Sequence, residues 1–298
     1  MDVKTRLTEF ERYISTRKSA ATANTYRRAA KKFEDFLAAR DLELRFASPG
    51  IYDFFVTWLM ENNQSPASIE LITVAAQIYV DWRRRNGEVF PVFAKPDKPK
   101  VDYREPFVLT AQQLSDFFRF TSDIEDPAKT ALMLMPLCGL RSDEMAKILL
   151  SDLESRNGWV IFHVVGKGRK RRVVPLLKQG NPILRRYLTG WRARRFEGSQ
   201  YLFPCRNGKG YPTRSLRRHL EGVREAMGLS HEERFGTHAL RKTYLTMLDS
   251  FGVSPFKIAQ IGGHKKVETT RDHYIHHGVD DLVGDLVRVH APMAERDE

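Results

Sequence analysis

Through the first 90 residues the apolar side chains recur at three- and four-residue spacing, which predicts helices only. Tyr26, Ala29, Ala30, Phe33, Phe36 and Leu37 form one such stripe, and Arg27, Arg28, Lys31 and Lys32 gather on another face of the same helix. Ser48-Pro49 and Ser65-Pro66 each place an N-cap side chain before a proline at the first helical position, where the missing N–H is harmless. The second of these helices is expected to run through Ile69, Ile72, Ala76, Tyr79 and Val80 to Arg83-Arg84-Arg85 and to stop at Gly87. Residues 1–90 therefore read as a small four-helix domain.

The pattern then changes. Pro91, Pro96, Pro99 and Pro106, interleaved with Lys95, Lys98 and Lys100, exclude a regular helix and predict an extended basic linker over 91–106. From 107 to 298 helical spacing returns. Thr110 opens a helix through Leu114, Phe117 and Phe118; the apolar run Ala131 to Leu140 predicts a buried helix ending near Gly139; a helix with Glu144, Met145, Ile148 and Leu149 follows Arg141. Trp159 to Val165 and Arg172 to Leu176 read as two strands joined by a glycine-containing basic turn, Gly166 to Arg171. Beyond them Ser254-Pro255 marks another helix start, and Gly262-Gly263 a break just before His264. The fold class is mainly α with a small antiparallel β-sheet, the second half being an α+β domain.

Charge adds a partner to this outline. There are 49 Lys+Arg against 37 Asp+Glu, a formal net charge of +12, which gives a field attractive to phosphate backbones. Cys138 and Cys205 are the only cysteines; they exclude a disulfide framework and show no metal-ligand spacing, so a reducing compartment is expected. The start of the chain carries charge in place of an apolar leader, and no run reaches the length of a membrane span. A cytoplasmic protein, nucleoid-associated when bound to DNA, is the expectation.

Breaking a DNA phosphodiester requires a nucleophile, charge around the non-bridging oxygens and a proton for the departing 5′ oxygen. Arginine suits the second task because its planar fork grips two phosphate oxygens and stays charged. Arg141, after Gly139-Leu140, and Arg241, three residues after His238, are the candidate clamp. Tyr274, in Thr269-Thr270-Arg271-Asp272-His273-Tyr274, is the candidate nucleophile, with Tyr244 as a competitor on the helix of Arg241. A phenol keeps its proton near neutral pH, so it needs cations or a base nearby; His264, ten residues earlier, can assist. Lys167 or Lys170, at the turn between the strands, can supply the proton to the leaving oxygen. His273, His276 and His277 offer a zinc reading, but neighbouring histidines without cysteines are more often surface residues.

In this order the motifs resemble those of the tyrosine recombinases of the phage-integrase and Xer type. Gly139-Leu140-Arg141-Ser142-Asp143-Glu144-Met145 resembles the first arginine box, and Gly166-Lys167-Gly168 with Val173-Val174-Pro175-Leu176 the hairpin that carries the catalytic lysine. His238-Ala239-Leu240-Arg241, Ile261-Gly262-Gly263-His264 and Tyr274 resemble the remaining boxes. The resemblance implies Arg141 and Arg241 on the scissile phosphate, Lys167 as general acid, His238 and His264 as phosphate and proton-transfer partners, and Tyr274 forming a 3′-phosphotyrosyl link. Glu144 matches the acidic position supporting the first arginine. Two departures stand out: glycine at 262, where leucine is commoner, and a ten-residue step from His264 to Tyr274, where many members have nine.

The resemblance also implies that the four-helix domain is a SAM-like core-binding domain, with Arg27, Arg28, Lys31, Lys32, Arg83, Arg84, Arg85, Arg169 and Lys170 as DNA-binding candidates. It implies no metal or nucleotide cofactor, specific sites on double-stranded DNA, a protein monomeric in free solution, and a homo-tetramer on DNA that exchanges strands through a Holliday junction. The apolar stripe Leu282, Val283, Leu286, Val287 and Val289 is the candidate for docking into a neighbouring protomer, with packing on its own domain as the other choice. No arm-binding domain is expected before the first helix. Two other functions compete: a type IB topoisomerase, which uses a similar residue set as a monomer, and a DNA-binding protein without catalysis.

Overall fold

The computed structural model of the chain describes residues 2–97, 107–166, 171–229, 235–263 and 279–293. They form two compact units, Met1–Arg104 and Glu105–Glu298.

The first unit holds α1 (Val3–Ser15), α2 (Ala20–Ala39), α3 (Ile51–Glu61) and α4 (Pro66–Arg85). Asp2, Ser19 and Ser65 each accept a bond from the backbone N–H three residues on, satisfying donors that the first helical turn leaves without partners. Ser48 does not do so: Pro49 and Gly50 form a turn, and α3 begins at Ile51 with Gly50 in the cap position. The core is aromatic. Phe10, Phe33, Phe36, Phe55 and Tyr79 are fully buried, and rings such as Phe33 and Phe55 meet edge-on with their centres 4.9 Å apart.

Inside that core sits a carboxylate. Glu34 accepts a bond from the Tyr79 hydroxyl and one from each of Arg6 Nη1 and Arg83 Nη1, both at 3.1 Å, which ties α1, α2 and α4 to one charge. Arg83 also grips Glu88, Nη2 to Oε2 at 2.6 Å. Arg83 is thus buried, and it leaves the set of DNA-facing candidates, because a buried carboxylate needs a cation more than the surface does.

Part of the segment expected as a linker belongs to this unit. Arg84 Nη2 donates to the carbonyl of Pro91 at 2.8 Å, Ala94 N to Pro49 O at 2.8 Å, and Phe93 packs edge-on against Tyr52. Residues 98–106 lie outside the described residues.

The second unit is built around α6 (Ala128–Cys138), every residue of which except Lys129 is buried. Around it stand α5 (Ala111–Thr121), α7 (Ser142–Lys147), α8 (Gly180–Tyr187), which runs through a π-helical turn at Leu188–Arg192 into the short α9 (Ala193–Arg195), then α10 (Thr213–Ala226), α11 (Thr237–Ser250), α12 (Pro255–Gly262) and α13 (Val279–Leu286). Thr110 and Gln113 close a capping box on α5, and Ser254 caps α12 ahead of Pro255.

The sheet has three antiparallel strands in the order β1 (Leu153–Arg156), β2 (Trp159–Val165) and β3 (Arg171–Pro175), with Val165 opposite Arg171. β1 is absent from the sequence expectation because it is short and polar. Its turn, Asn157-Gly158, has φ of 51° and 77°, the left-handed pair that two-residue hairpin turns demand. In α13 and beyond, Leu282, Val283, Leu286 and Val289 are buried in the core of their own unit, and Lys257 Nζ holds Asp285 Oδ2 at 2.8 Å. Val287, the remaining member of the stripe, is 59% exposed.

Candidate active site

Gly139 ends α6 in the left-handed conformation, φ 63°, and the chain turns there to deliver Arg141 to the N-cap of α7. Glu144, three residues into the turn, reaches back to the Arg141 N–H at 2.8 Å. Its other bonds come from guanidinium groups: Arg141 Nη1 to Oε1 at 2.9 Å, Arg172 Nη1 to Oε1 and Arg172 Nη2 to Oε2 at 2.8 Å each. Each carboxylate oxygen thus accepts two bonds, the full capacity of the group. Burial pushes this carboxyl up, but the bonds and charges of Arg172 and Arg141 outweigh it and hold it down at about 2.

Arg241 projects inward from the second turn of α11 and is 2% exposed. Its Nη1 donates to Gly139 O at 2.7 Å, and its Nη2 to the carbonyl of Gly262. Arg141 Nη2 reaches the same carbonyl at 3.5 Å, and Arg172 Nε donates to Ile261 O at 2.8 Å. Three guanidinium groups therefore meet the last carbonyls of α12, where a helix leaves acceptors open and carries partial negative charge. Gly263, φ 61°, ends that helix against Arg172. Burial first, and then the charges of Arg141 and Arg172, pull Arg241 down to about 10, so it stays charged at neutral pH.

His238 stands exposed in the first turn of α11. Desolvation, with the charges of Arg241, Lys242 and Arg141, lowers its imidazole below the ordinary histidine value, which favours the neutral ring with one donor and one acceptor. Tyr244, the competing nucleophile, is fully buried, donates to Pro175 O at 3.3 Å and has its phenol pushed up by burial. It is a core residue. Lys167, Arg169, Lys170, His264 and Tyr274 lie outside the described residues, as do His273, His276 and His277.

Two features escaped the sequence reading. Arg172 belongs to the cluster, and strand alternation was the signal for it: Arg172 shares the inward face with Val174, whereas Arg171 is exposed. α10 buries Leu216, Leu220 and Val223 and exposes Arg214, Arg217 and Arg218, a basic face in the middle of a long polar run. In the first unit Arg27 pairs with Glu11 at 3.0 Å, Lys31 with Asp35 at 2.8 Å, Lys32 donates to Gln64 Oε1 at 2.6 Å, and Arg28 is exposed. Arg84 meets Asp81 at 3.5 Å and Arg85 the Tyr13 hydroxyl at 3.5 Å.

Comparison with known proteins bears on the same residues. Residues 108–280 match the phage integrase family, and residues 7–87 match the phage integrase N-terminal SAM-like domain. The tyrosine recombinase XerD of Proteus mirabilis is 25% identical over 259 residues, covering 85% of this chain and 82% of its own. XerC of Corynebacterium glutamicum is 28% identical over 262 residues, covering 85% and 81%. Among solved structures, the XerH site-specific recombinase in a post-cleavage complex with palindromic difH superposes with a TM-score of 0.68 at 19% identity, over 82% of this chain and 73% of that one. A lambda integrase tetramer bound to a Holliday junction gives 0.70 at 16% identity, over 92% and 80%. Both share this fold. Because the first match spans more than half of the chain and includes the arginine cluster, the protein belongs to the phage integrase family, the tyrosine recombinases that cut DNA strands and rejoin them.

Proposed function

We propose that Arg141 and Arg241 grip the scissile phosphate of double-stranded DNA while Tyr274 attacks it. The Tyr274 oxygen bonds to phosphorus, the bond from phosphorus to the 5′ oxygen breaks, and Lys167 gives that oxygen its proton. His238 and His264 hydrogen-bond the phosphate and take up the phenolic proton. Attack by the 5′ hydroxyl of a second strand reverses the steps and rejoins the DNA, so the bond energy is kept in the phosphotyrosine. The observation that carries this reading is the shared carbonyl of Gly262, which brings the Arg141 and Arg241 guanidinium groups together two residues before His264 in the chain.

The protein acts in the cytoplasm on specific sites, monomeric in free solution and as a homo-tetramer on two duplexes, passing through a Holliday junction. The tetrameric lambda integrase relative supports that assembly. Arg27, Arg28, Lys31, Lys32, Arg84, Arg85, Arg169, Lys170 and the exposed arginines of α10 supply phosphate contacts; exposed ion pairs such as Lys31–Asp35 hold only about 0–1 kcal/mol and yield readily to phosphate.

A substrate nicked next to the cleavage site traps the covalent adduct on a denaturing gel. Wild-type protein is expected to form it and Tyr274→Phe to lose it while binding DNA nearly as well. Arg141→Ala and Arg241→Ala are expected to bind but to cut slower by about 10²-fold or more. An adduct that survives Tyr274→Phe reassigns the nucleophile, and relaxation of plasmid DNA of arbitrary sequence by a persistent monomer, without recombinants, points to a topoisomerase.

A further inference from the structure

We infer that Arg172 is a positioning residue for DNA cleavage, which sets the guanidinium of Arg141 and the end of α12 in one arrangement by bridging Glu144 to the Ile261 carbonyl. The inference rests on the phosphate-gripping role proposed for Arg141. Arg172 lies on β3, five residues after Lys167 in the chain, and its side chain is 7% exposed. Its two Nη atoms each hold one oxygen of Glu144 at 2.8 Å, and its Nε holds Ile261 O at the same distance. The stem lies where α12 stops, so that a Cβ on Gly263 would be 3.0 Å from Arg172 Cδ.

Competition for one carboxylate gives this geometry its consequence. A buried Glu144 facing Arg141 alone would draw that guanidinium onto itself in a two-pronged pair, the strongest geometry open to it. Arg172 takes that place. The Arg141 guanidinium is then left with a single bond to Glu144, from Nη1, and the side chain stays 33% exposed with Nη2 turned toward Gly262. The guanidinium is anchored and still has donors to offer a phosphate. The same side chain thus joins β3 to the arginine pair and to the end of α12.

The test compares Arg172→Ala and Arg172→Lys with wild type, reading DNA affinity and the rate of adduct formation separately. Lysine keeps the charge but cannot bridge three acceptors with a planar fork. Both variants are expected to bind site DNA within about threefold of wild type and to cut about 10²-fold slower, the loss that a small misplacement of a reacting group brings. Adding Arg172→Ala to Arg141→Ala is expected to cost little more, since both act through one guanidinium.

A second substrate carries an uncharged methylphosphonate at the cleavage site and so needs less cationic help. On it the deficits of Arg172→Ala and Arg141→Ala are both expected to shrink, whereas a loss of folded protein would leave the deficit the same on either DNA. Where Arg172→Ala melts below the assay temperature, Arg172→Lys decides. Cutting at the wild-type rate by the folded variants overturns the inference, as does a loss that multiplies in full with Arg141→Ala and is unchanged on the methylphosphonate. An adduct mapping to a residue other than Tyr274 removes that assignment alone, and the Arg172 comparison is then read on the same cut.

Discussion

The ring of Tyr244 lies so close to Gly139 that a Cβ on the glycine would sit 2.3 Å from Tyr244 Cδ1, while the Gly139 carbonyl receives Arg241 Nη1 at 2.7 Å. The turn that presents Arg141 is thus pinned on one side by a buried aromatic ring and on the other by the second clamp arginine. Gly139→Ala meets both a clash and a left-handed φ, and it is expected to destabilise the second unit by about 2 kcal/mol or more and to abolish cutting. Tyr244→Phe keeps the ring and removes one buried hydrogen bond, at about 1 kcal/mol, and should cut normally. Thermal melts and adduct formation check both; a Tyr244→Phe protein that folds but forms no adduct would return this tyrosine to the chemistry.

Glu144 predicts an acid-side stability loss. Its folded pKa of about 2 lies below the ordinary carboxylate value of 4.5, so the ion-pair contribution is fully present above about pH 5 and is lost as pH falls toward 2. The shift corresponds to on the order of 3 kcal/mol. Denaturant unfolding followed from pH 6 to 3 should show a shallower decline in Glu144→Gln than in wild type, from a lower starting stability. Equal slopes in the two proteins would remove Glu144 as the source.

His238 titrates below the ordinary histidine range because it is desolvated and shares its surroundings with Arg241, Lys242 and Arg141. Taking away one positive charge favours the protonated imidazole. Arg141→Ala is therefore expected to raise the His238 pKa, and so is a bound phosphodiester, as followed by the ring carbon-bound proton in NMR. A downward movement in either case would show that Arg141 does not face this histidine.

Salt dependence separates arginines that a sequence cannot separate. Each phosphate contact contributes about 0.9 to the slope of log affinity against log salt. Arg28→Ala and Arg85→Ala are expected to lower the slope by about one each, with stability near wild type. Arg83→Ala removes the ion pairs that the buried Arg83 makes with the buried Glu34 and the partly exposed Glu88; it is expected to cost about 3 kcal/mol of stability in the first unit and to leave the slope of the folded protein unchanged. A lowered slope for Arg83→Ala at full stability would put its guanidinium back on the DNA.

What the sequence alone determined is what local chemistry determines. Caps at Ser65, Thr110 and Ser254, the left-handed glycines at 139 and 263, and the run of apolar residues in α6 each act within a few residues, so spacing was enough to read them. The Arg141–Glu144 pair, three residues apart in a capping box, belongs to this class. The directions of the long cationic side chains do not. Arg83 and Arg84 are neighbours in one run, yet Arg83 turns inward because α2 supplies Glu34 there; Arg171 and Arg172 differ in the same way because α7 supplies Glu144. A guanidinium on a flexible stem goes where a buried carboxylate needs it, and only the packing of distant elements decides where that carboxylate lies. The same holds for the apolar stripe that begins in α13, whose pattern shows that it must be covered but not by what; its own unit buries Leu282, Val283, Leu286 and Val289 and leaves Val287 exposed.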